Sequence, residues 1–312
     1  MSRNIKTQLK SRDVMVIGDA LIDHQYWVEK LPAAGGDEKI SASQSSTGGS
    51  AANTAFALCF GGASCIFCGR VGSDESGRDL LRRMKQAGVD VSCAAQGGET
   101  GYTLTVIDAT GERTMMSFRG ASGQPVEMTD TVRSKLSQAG ALMLSGYYLS
   151  DARQAAFALE AAKLASAAGA MVALDPSPVI GRADEDILHE ILGVTDVILP
   201  NRSEMRQMAQ TDDVLQAAKT LGVPCVVMKD GAAGSTMALG KGFAFCEAAG
   251  VFSAAAQARD AVDTTGAGDA FAAGFLTALT AGSPPRQWLE SGNEMAAAVI
   301  LSRGAATAYT KE

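Results

Sequence analysis

The sequence predicts an α/β fold in which a mostly parallel central sheet is flanked by helices and carries a small β-sheet appendage. Three observations lead there. From Ala139 onward, apolar runs of strand length alternate with helix-length segments, which implies right-handed βαβ crossovers and a sheet covered on both faces. Near the N-terminus, Val14-Met-Val-Ile17 is a short apolar run closed by Gly18, as a buried first strand requires. Two stretches, 24–47 and 91–118, break that rhythm and read as excursions from the core.

Taken in order, His24 to Thr47 mixes polar residues with Pro32, Gly35 and Gly36 and returns to the core at Gly48-Gly49, after which Ala51–Phe60 reads as a helix of small residues. Ser64–Val71 reads as a strand and Ser76–Ala87 as a helix with basic residues toward its end. Gly101–Asp108 and Glu112–Phe118, joined by Ala-Thr-Gly, form a hairpin that can act as a lid. The regular part follows as strand Ala141–Leu144, helix Ala152–Ala168, strand Met171–Leu174, helix Glu185–Leu192, strand Val197–Leu199, helices Ser203–Ala209 and Val214–Leu221, and strand Cys225–Met228. Met237–Leu239 and Phe243–Glu247 read as a second hairpin, and helices Gly268–Ala281 and Pro285–Ser302 close the chain. With no internal repeat, low-complexity linker or clear boundary, residues 1–312 read as one domain with lid segments at about 24–47 and 91–118.

At 312 residues and 46% hydrophobic content the chain has ample material for a core. A net charge of −7 and a pI near 5.0, without a basic run, argue against nucleic acid or an anionic membrane as partner and favour a small molecule. No apolar run reaches the roughly 18 residues that span a bilayer, and Met1 to Asp13 is polar rather than signal-like, so the expected location is the cytoplasm. Six scattered cysteines read as buried thiols; Cys65-Ile-Phe-Cys68 lies within a strand-like run, and no second pair exists to close a zinc site.

The common phosphate devices are absent: there is no G-x-x-x-x-G-K-[ST], and Gly266-x-Gly268 is followed by Phe271 where a dinucleotide fingerprint needs glycine. With only His24 and His189, a histidine metal site or a Ser-His-Asp triad has little material. The distinctive stretch is Asp263-Thr-Thr-Gly-Ala-Gly-Asp-Ala-Phe271. Gly266, Ala267 and Gly268 can present N–H groups at the start of an alanine-rich helix, an anion cradle, and Asp269 puts a carboxylate beside it. Like charges repel there, unless the carboxylate takes a proton from a group attacking a phosphate, so the pattern points to phosphoryl transfer. The plainer alternative is a helix cap.

This stretch, continued as Ala-Ala-Gly-Phe275, resembles the C-terminal signature of the ribokinase-like (PfkB-type) carbohydrate kinase family, and Gly48-Gly-Ser-Ala-Ala-Asn53 resembles its N-terminal signature. Asn201-Arg-Ser-Glu204 and Lys229-Asp-Gly-Ala-Ala-Gly234 are similar to further family elements in the right order, so the resemblance spans the chain. It implies a ribokinase-like fold with a small β-sheet lid and ATP-dependent phosphorylation of a sugar hydroxyl. Asp269 would be the general base, ionised and of low basicity at its helix N-terminus, and Gly266, Ala267 and Gly268 the anion hole. Asp23, taken as the end of the first strand, would bind sugar hydroxyls with Gly48, Gly49 and Asn53. Alternatively Asp19 rather than Asp23 faces the pocket, or Asn53 caps a helix.

By the same resemblance, Asn201, Lys229, Gly231 and Gly234 would serve the nucleotide, and Glu204 would organise Mg²⁺ through water. A solvated helix-start glutamate and an ordinary strand-end turn are the alternatives. Asp263, with Thr265 and carbonyls around Ala297 to Gly304, would hold K⁺ and make turnover respond to it, or Asp263 would simply cap the turn. Arg119 would reach an anionic substrate group or lie solvated. A free sugar is favoured over a nucleoside of pseudouridine or adenosine type, because the aromatic residues show no base-stacking pair; 2-keto-3-deoxygluconate is a further alternative substrate. A non-catalytic sensor on the same fold would need the cradle but not the base. A homodimer through the lid is a further expectation.

Overall fold

The structure is a computed structural model that describes residues 9–305 and 309. Of the polar N-terminal stretch, residues 1–8 lie outside the described residues. The strands are β1 (Val14–Ile17), β2 (Leu21–Val28), β3 (Ile40–Gly48), β4 (Cys65–Cys68), β5 (Arg70–Val71), β6 (Ala95–Gln96), β7 (Tyr102–Ile107), β8 (Arg113–Phe118), β9 (Ala141–Ser145), β10 (Met171–Asp175), β11 (Val197–Ile198), β12 (Cys225–Lys229), β13 (Ser235–Leu239) and β14 (Gly250–Ala254). The α-helices are α1 (Ser50–Phe60), α2 (Glu75–Gln86), α3 (Asp130–Gln138), α4 (Ala152–Ala167), α5 (Glu185–Leu192), α6 (Arg202–Ala209), α7 (Val214–Leu221), α8 (Ala267–Thr280) and α9 (Pro285–Val299).

Eight strands form the main sheet in the order β14-β13-β12-β11-β10-β9-β1-β4. Neighbours pair in parallel except on either side of β13, which alone runs against the rest. Alternate residues of every strand but the edge strand β14 feed two cores. Val14, Val16 and Val227 face the layer of α1, α2, α8 and α9, while Met15, Ile17 and Met228 face that of α3 to α7. Burial on both faces explains why these strands run apolar up to their carboxyl ends rather than alternating. The chain leaves β1 first for β4 and then for β9 on the other side, so the strand order reverses there. A crevice opens at the carboxyl ends of strands on either side of such a point.

A second sheet, ordered β3-β2-β7-β8, stands over those carboxyl ends. Its inner face carries the odd-numbered residues: Asp23 pairs with Thr103, which pairs with Ser117, and Gln25 pairs with Thr105, which pairs with Met115. Two expectations change here. Asp23 sits in β2 of this sheet, because the first strand ends at Ile17. Phe243–Glu247 is not a strand; β13 pairs instead with Gly250–Ala254, and Phe243 is fully buried with its ring 6.1 Å from that of Trp288. An aromatic anchor under a loop produces the same apolar signal as a strand.

Candidate active site

The cleft between the two sheets has a volume of about 510 Å³, within the range that holds small ligands. It is lined at one end by Asp23 and Arg119, in the middle by Asp269, and at the other end by Glu204, Lys229 and Gly231. The main-sheet residues arrive as their strands end: Asp19 just after β1, Asp175 closing β10 and Lys229 closing β12.

Asp269 stands in the first turn of α8, whose N-cap is Gly266 at φ 78°, a left-handed conformation that a side chain would strain. An added Cβ at Gly266 would also lie 2.3 Å from the Ala305 Cβ. Gly266, Ala267 and Gly268 all line the cleft, but the Ala267 N–H donates to the Thr264 carbonyl at 3.2 Å and so closes the turn rather than facing a ligand. The Asp269 carboxylate accepts from Ser50 Oγ at 2.7 Å and from Asn53 Nδ2 at 2.9 Å, both on α1, so the two signature segments meet at this group. Burial, and then the Asp175 carboxylate, push Asp269 up to about 7, against the Ser50 and Asn53 bonds and the Lys229 ammonium. The expected low basicity is thereby corrected, because enclosure outweighs the helix N-terminus.

Around Asp23 the cleft is rich in acceptors. Burial, followed by the neighbouring Asp19, raises Asp23 to about 7. Asp19 lies fully buried and accepts from Arg119 Nη1 at 3.1 Å, so both aspartates face the cleft. Among the described residues, Asp19 Oδ1, Gln25 Oε1, Asn53 Oδ1 and Arg119 Nη2 are buried without a hydrogen-bond partner. Arg119 is half-buried and ion-paired with Asp19 rather than free in solvent; its guanidinium carbon also lies 6.0 Å from the Tyr147 ring centroid. Gly48 is needed for close approach, since a Cβ there would fall 2.3 Å from the Asp23 carboxylate, and Gly49 follows as the N-cap of α1.

At the other end Asn201 and Glu204 form a reciprocal capping box on α6: Asn201 Oδ1 accepts from the Glu204 N–H at 2.9 Å and Glu204 Oε2 from the Asn201 N–H at 2.8 Å. Glu204 is buried rather than solvated, and burial raises it to about 7 against the pull of Lys229. Lys229 donates to Asp175 at 2.6 Å. Burial pulls its ammonium down, but Asp175 and then Glu204 more than reverse this. Gly231 and Gly234 bound a short 3₁₀ turn after β12 and line the same end. A buried carboxylate with one oxygen outside the capping box suits magnesium, which keeps its waters and takes few protein ligands.

Asp263 is enclosed by donors. One carboxylate oxygen accepts from Arg113 Nη2 at 2.8 Å, Thr265 N at 2.9 Å and Thr265 Oγ1 at 2.7 Å. The other accepts from Gly304 N at 3.0 Å and Gln25 Nε2 at 3.3 Å. Burial raises the group, but these bonds and the Arg113 charge hold it below the usual carboxylate range. The Ile300 carbonyl accepts from the N–H groups of Val262 and Asp263, and the Arg303 carbonyl from Gln44. These residues do not fit the expected potassium ion: five donors fill about four lone-pair positions, and one donor is already a cation.

Sequence reasoning missed Ser50, Gln25, Arg113 and Asp175. Two of them left a signal: Ser50 lies inside the Gly48–Asn53 signature, and Asp175 is an acidic residue at a strand end before Pro176. Residues 11–312 match the profile described as pfkB family carbohydrate kinase. The chain is 31% identical over 288 residues to the ATP-dependent ribose-1-phosphate kinase of Halopiger xanaduensis, covering 91% of this chain and 90% of that protein. It is 28% identical over 316 residues to the 5-dehydro-2-deoxygluconokinase of Shouchella clausii, covering 96% and 93%. Arabidopsis thaliana ribokinase, solved with ribose and ATP, superposes with a TM-score of 0.80 at 25% identity, covering 95% of this chain and 94% of that one. The chain belongs to the pfkB family and is an ATP-dependent carbohydrate kinase.

Proposed function

We propose that the chain transfers the terminal phosphoryl group of ATP to a hydroxyl of a free sugar held between Asp23 and Asp269, with Asp269 as general base. The observation that carries this is the setting of Asp269, held by Ser50 and Asn53 at the start of α8 and raised to about 7. A base poised near neutrality accepts the hydroxyl proton as the oxygen attacks, while the Gly266 and Gly268 amides face the charge on the transferred group. The buried acceptors Asp19 Oδ1, Gln25 Oε1 and Asn53 Oδ1 call for a ligand rich in hydroxyl donors. The nucleotide would lie toward Asn201, Lys229, Gly231 and Gly234. Bound magnesium would neutralise charge on the phosphates, with Glu204 holding its water shell.

In this reading the small sheet is a lid that excludes water, the competing nucleophile. A homodimer through the lid fits the edge strand β8, on which Met115, Met116 and Phe118 lie exposed. A cytoplasmic location fits the six free cysteines; among the described residues no helix is long and apolar enough to cross a membrane. A second reading, an acidic or phosphorylated sugar, is favoured by the buried, unpaired Arg119 Nη2. A coupled ADP-release screen over sugars, sugar acids, sugar phosphates and nucleosides separates the two, and ADP release stimulated by none of them would contradict both.

Two results are expected from the preferred substrate. Asp23→Ala should weaken sugar binding by about 1.5–3 kcal/mol, the loss of a charged hydrogen bond, and unchanged calorimetric affinity would remove Asp23 from the site. Because the base works only when deprotonated, kcat should rise with pH through about 7 and then level off. A profile flat between roughly pH 6 and 8 would mean that Asp269 gains no proton in the step.

A further inference from the structure

The cradle turn is tied to the small sheet by one side chain. Arg113 opens β8 on the inner face, and its fork reaches the turn before α8, with Nη1 on Thr265 Oγ1 at 2.9 Å and Nη2 on Asp263 at 2.8 Å. Gln25 from β2 and the Gly304 N–H from the segment after α9 converge on the same carboxylate. Asp263 thus joins strands β2 and β8 of the lid, the cradle turn and the C-terminal segment. A buried carboxylate needs a compensating charge, and Arg113 supplies it through a planar fork, with one nitrogen on Asp263 and the other on Thr265 Oγ1, a directional geometry that a spherical ion lacks.

We propose that Arg113 is the resident cation of this turn: its guanidinium occupies the position at Asp263 that a monovalent metal ion would take, and it couples closure of the lid to the order of the anion cradle. This rests on the kinase reading for its effect on turnover, but not for its effect on the turn itself. Potassium at the same carboxylate would face a guanidinium across a few ångströms, and the Ile300 and Arg303 carbonyls that could have ringed it already accept hydrogen bonds. Arg113 is a positioning residue: it acts on the Gly266 and Gly268 amides through Asp263 and Thr265.

The test compares wild type, Arg113→Ala and Arg113→Lys in potassium, sodium and tetramethylammonium chloride at constant ionic strength and constant Mg²⁺. Wild-type kcat should agree among the salts within about twofold. Arg113→Ala should lose about tenfold in kcat, the worth of roughly one charge-assisted bond, with smaller changes in KM. Potassium, or guanidinium at low non-denaturing concentration, should restore part of that loss. Arg113→Lys, which keeps a tethered charge, should stay indifferent to the salt and guards against a misfolded alanine variant. Thermal midpoints in the same salts need no substrate, so the expected pattern, wild type indifferent and Arg113→Ala stabilised by potassium over tetramethylammonium, is readable even if no sugar is turned over. Potassium stimulation of the wild type, full activity of Arg113→Ala in every salt, or an Arg113→Ala defect that no cation repairs would each overturn the proposal.

Discussion

Asp269→Asn is expected to lower kcat by at least roughly a thousandfold while the dissociation constants for ATP and sugar change by less than about threefold. The substitution keeps the size of the side chain; its amide oxygen can accept from Asn53 Nδ2 while its NH₂ donates to Ser50 Oγ, so both α1 contacts can persist with the Ser50 bond reversed. What it removes is the proton acceptor. Loss in kcat without loss in binding identifies an interaction made in the transition state alone. Steady-state kinetics with calorimetry on the same preparations reads both quantities, and wild-type turnover in the variant would leave Asp269 a helix cap.

The same enclosure makes Asp269 a stability liability at neutral pH. Raised from 3.8 to about 7, the folded protein holds a proton that the unfolded chain releases. Its contribution to stability is therefore present below about pH 4 and is lost as pH rises through about 7. Asp269→Asn should gain stability relative to wild type as pH rises across that window, while losing activity.

Lys229→Met is the second large effect, on folding. The Lys229 and Asp175 side chains are only 12% and 7% exposed, so the pair is held away from water. Removing one partner of a buried pair leaves an uncompensated charge, and the expected loss is about 3–5 kcal/mol, read from the denaturant midpoint. Lys229→Met combined with Asp175→Leu should recover much of it, because the charge left stranded is then gone. Lys229 also holds Asp269 down, so in the single variant the rise of any residual kcat should move to higher pH. An unchanged denaturant midpoint would show that the pair is not a buried ion pair.

The βαβ rhythm was legible because strands covered on both faces must be apolar, and β9, β10 and β12 are. The cradle was legible because a glycine turn, a carboxylate and a helix start lie within one short segment. The small sheet was harder to read. Its β3, Ile-Ser-Ala-Ser-Gln-Ser-Ser-Thr-Gly, has the composition of a loop, because its residues face solvent or the polar cleft rather than a core. The partnerships that set the chemistry are invisible to local reading: Asp175 with Lys229 spans 54 residues, Arg119 with Asp19 spans 100, and Arg113 with Asp263 spans 150. The family resemblance puts Asp23 in the cleft but on the wrong strand; its raised pKa comes first from burial and then from Asp19, and the burial is set by the fold rather than by local sequence.

Base-assisted transfer from ATP to a sugar hydroxyl at Asp269 can be watched by ³¹P NMR of enzyme, Mg-ATP and the best sugar from the screen, run in parallel with Asp269→Asn. The wild type should give a new phosphate-ester resonance that grows in step with ADP and little free phosphate, and the variant no ester within the same period. Free phosphate in place of the ester, or an ester formed at the same rate by Asp269→Asn, would contradict it.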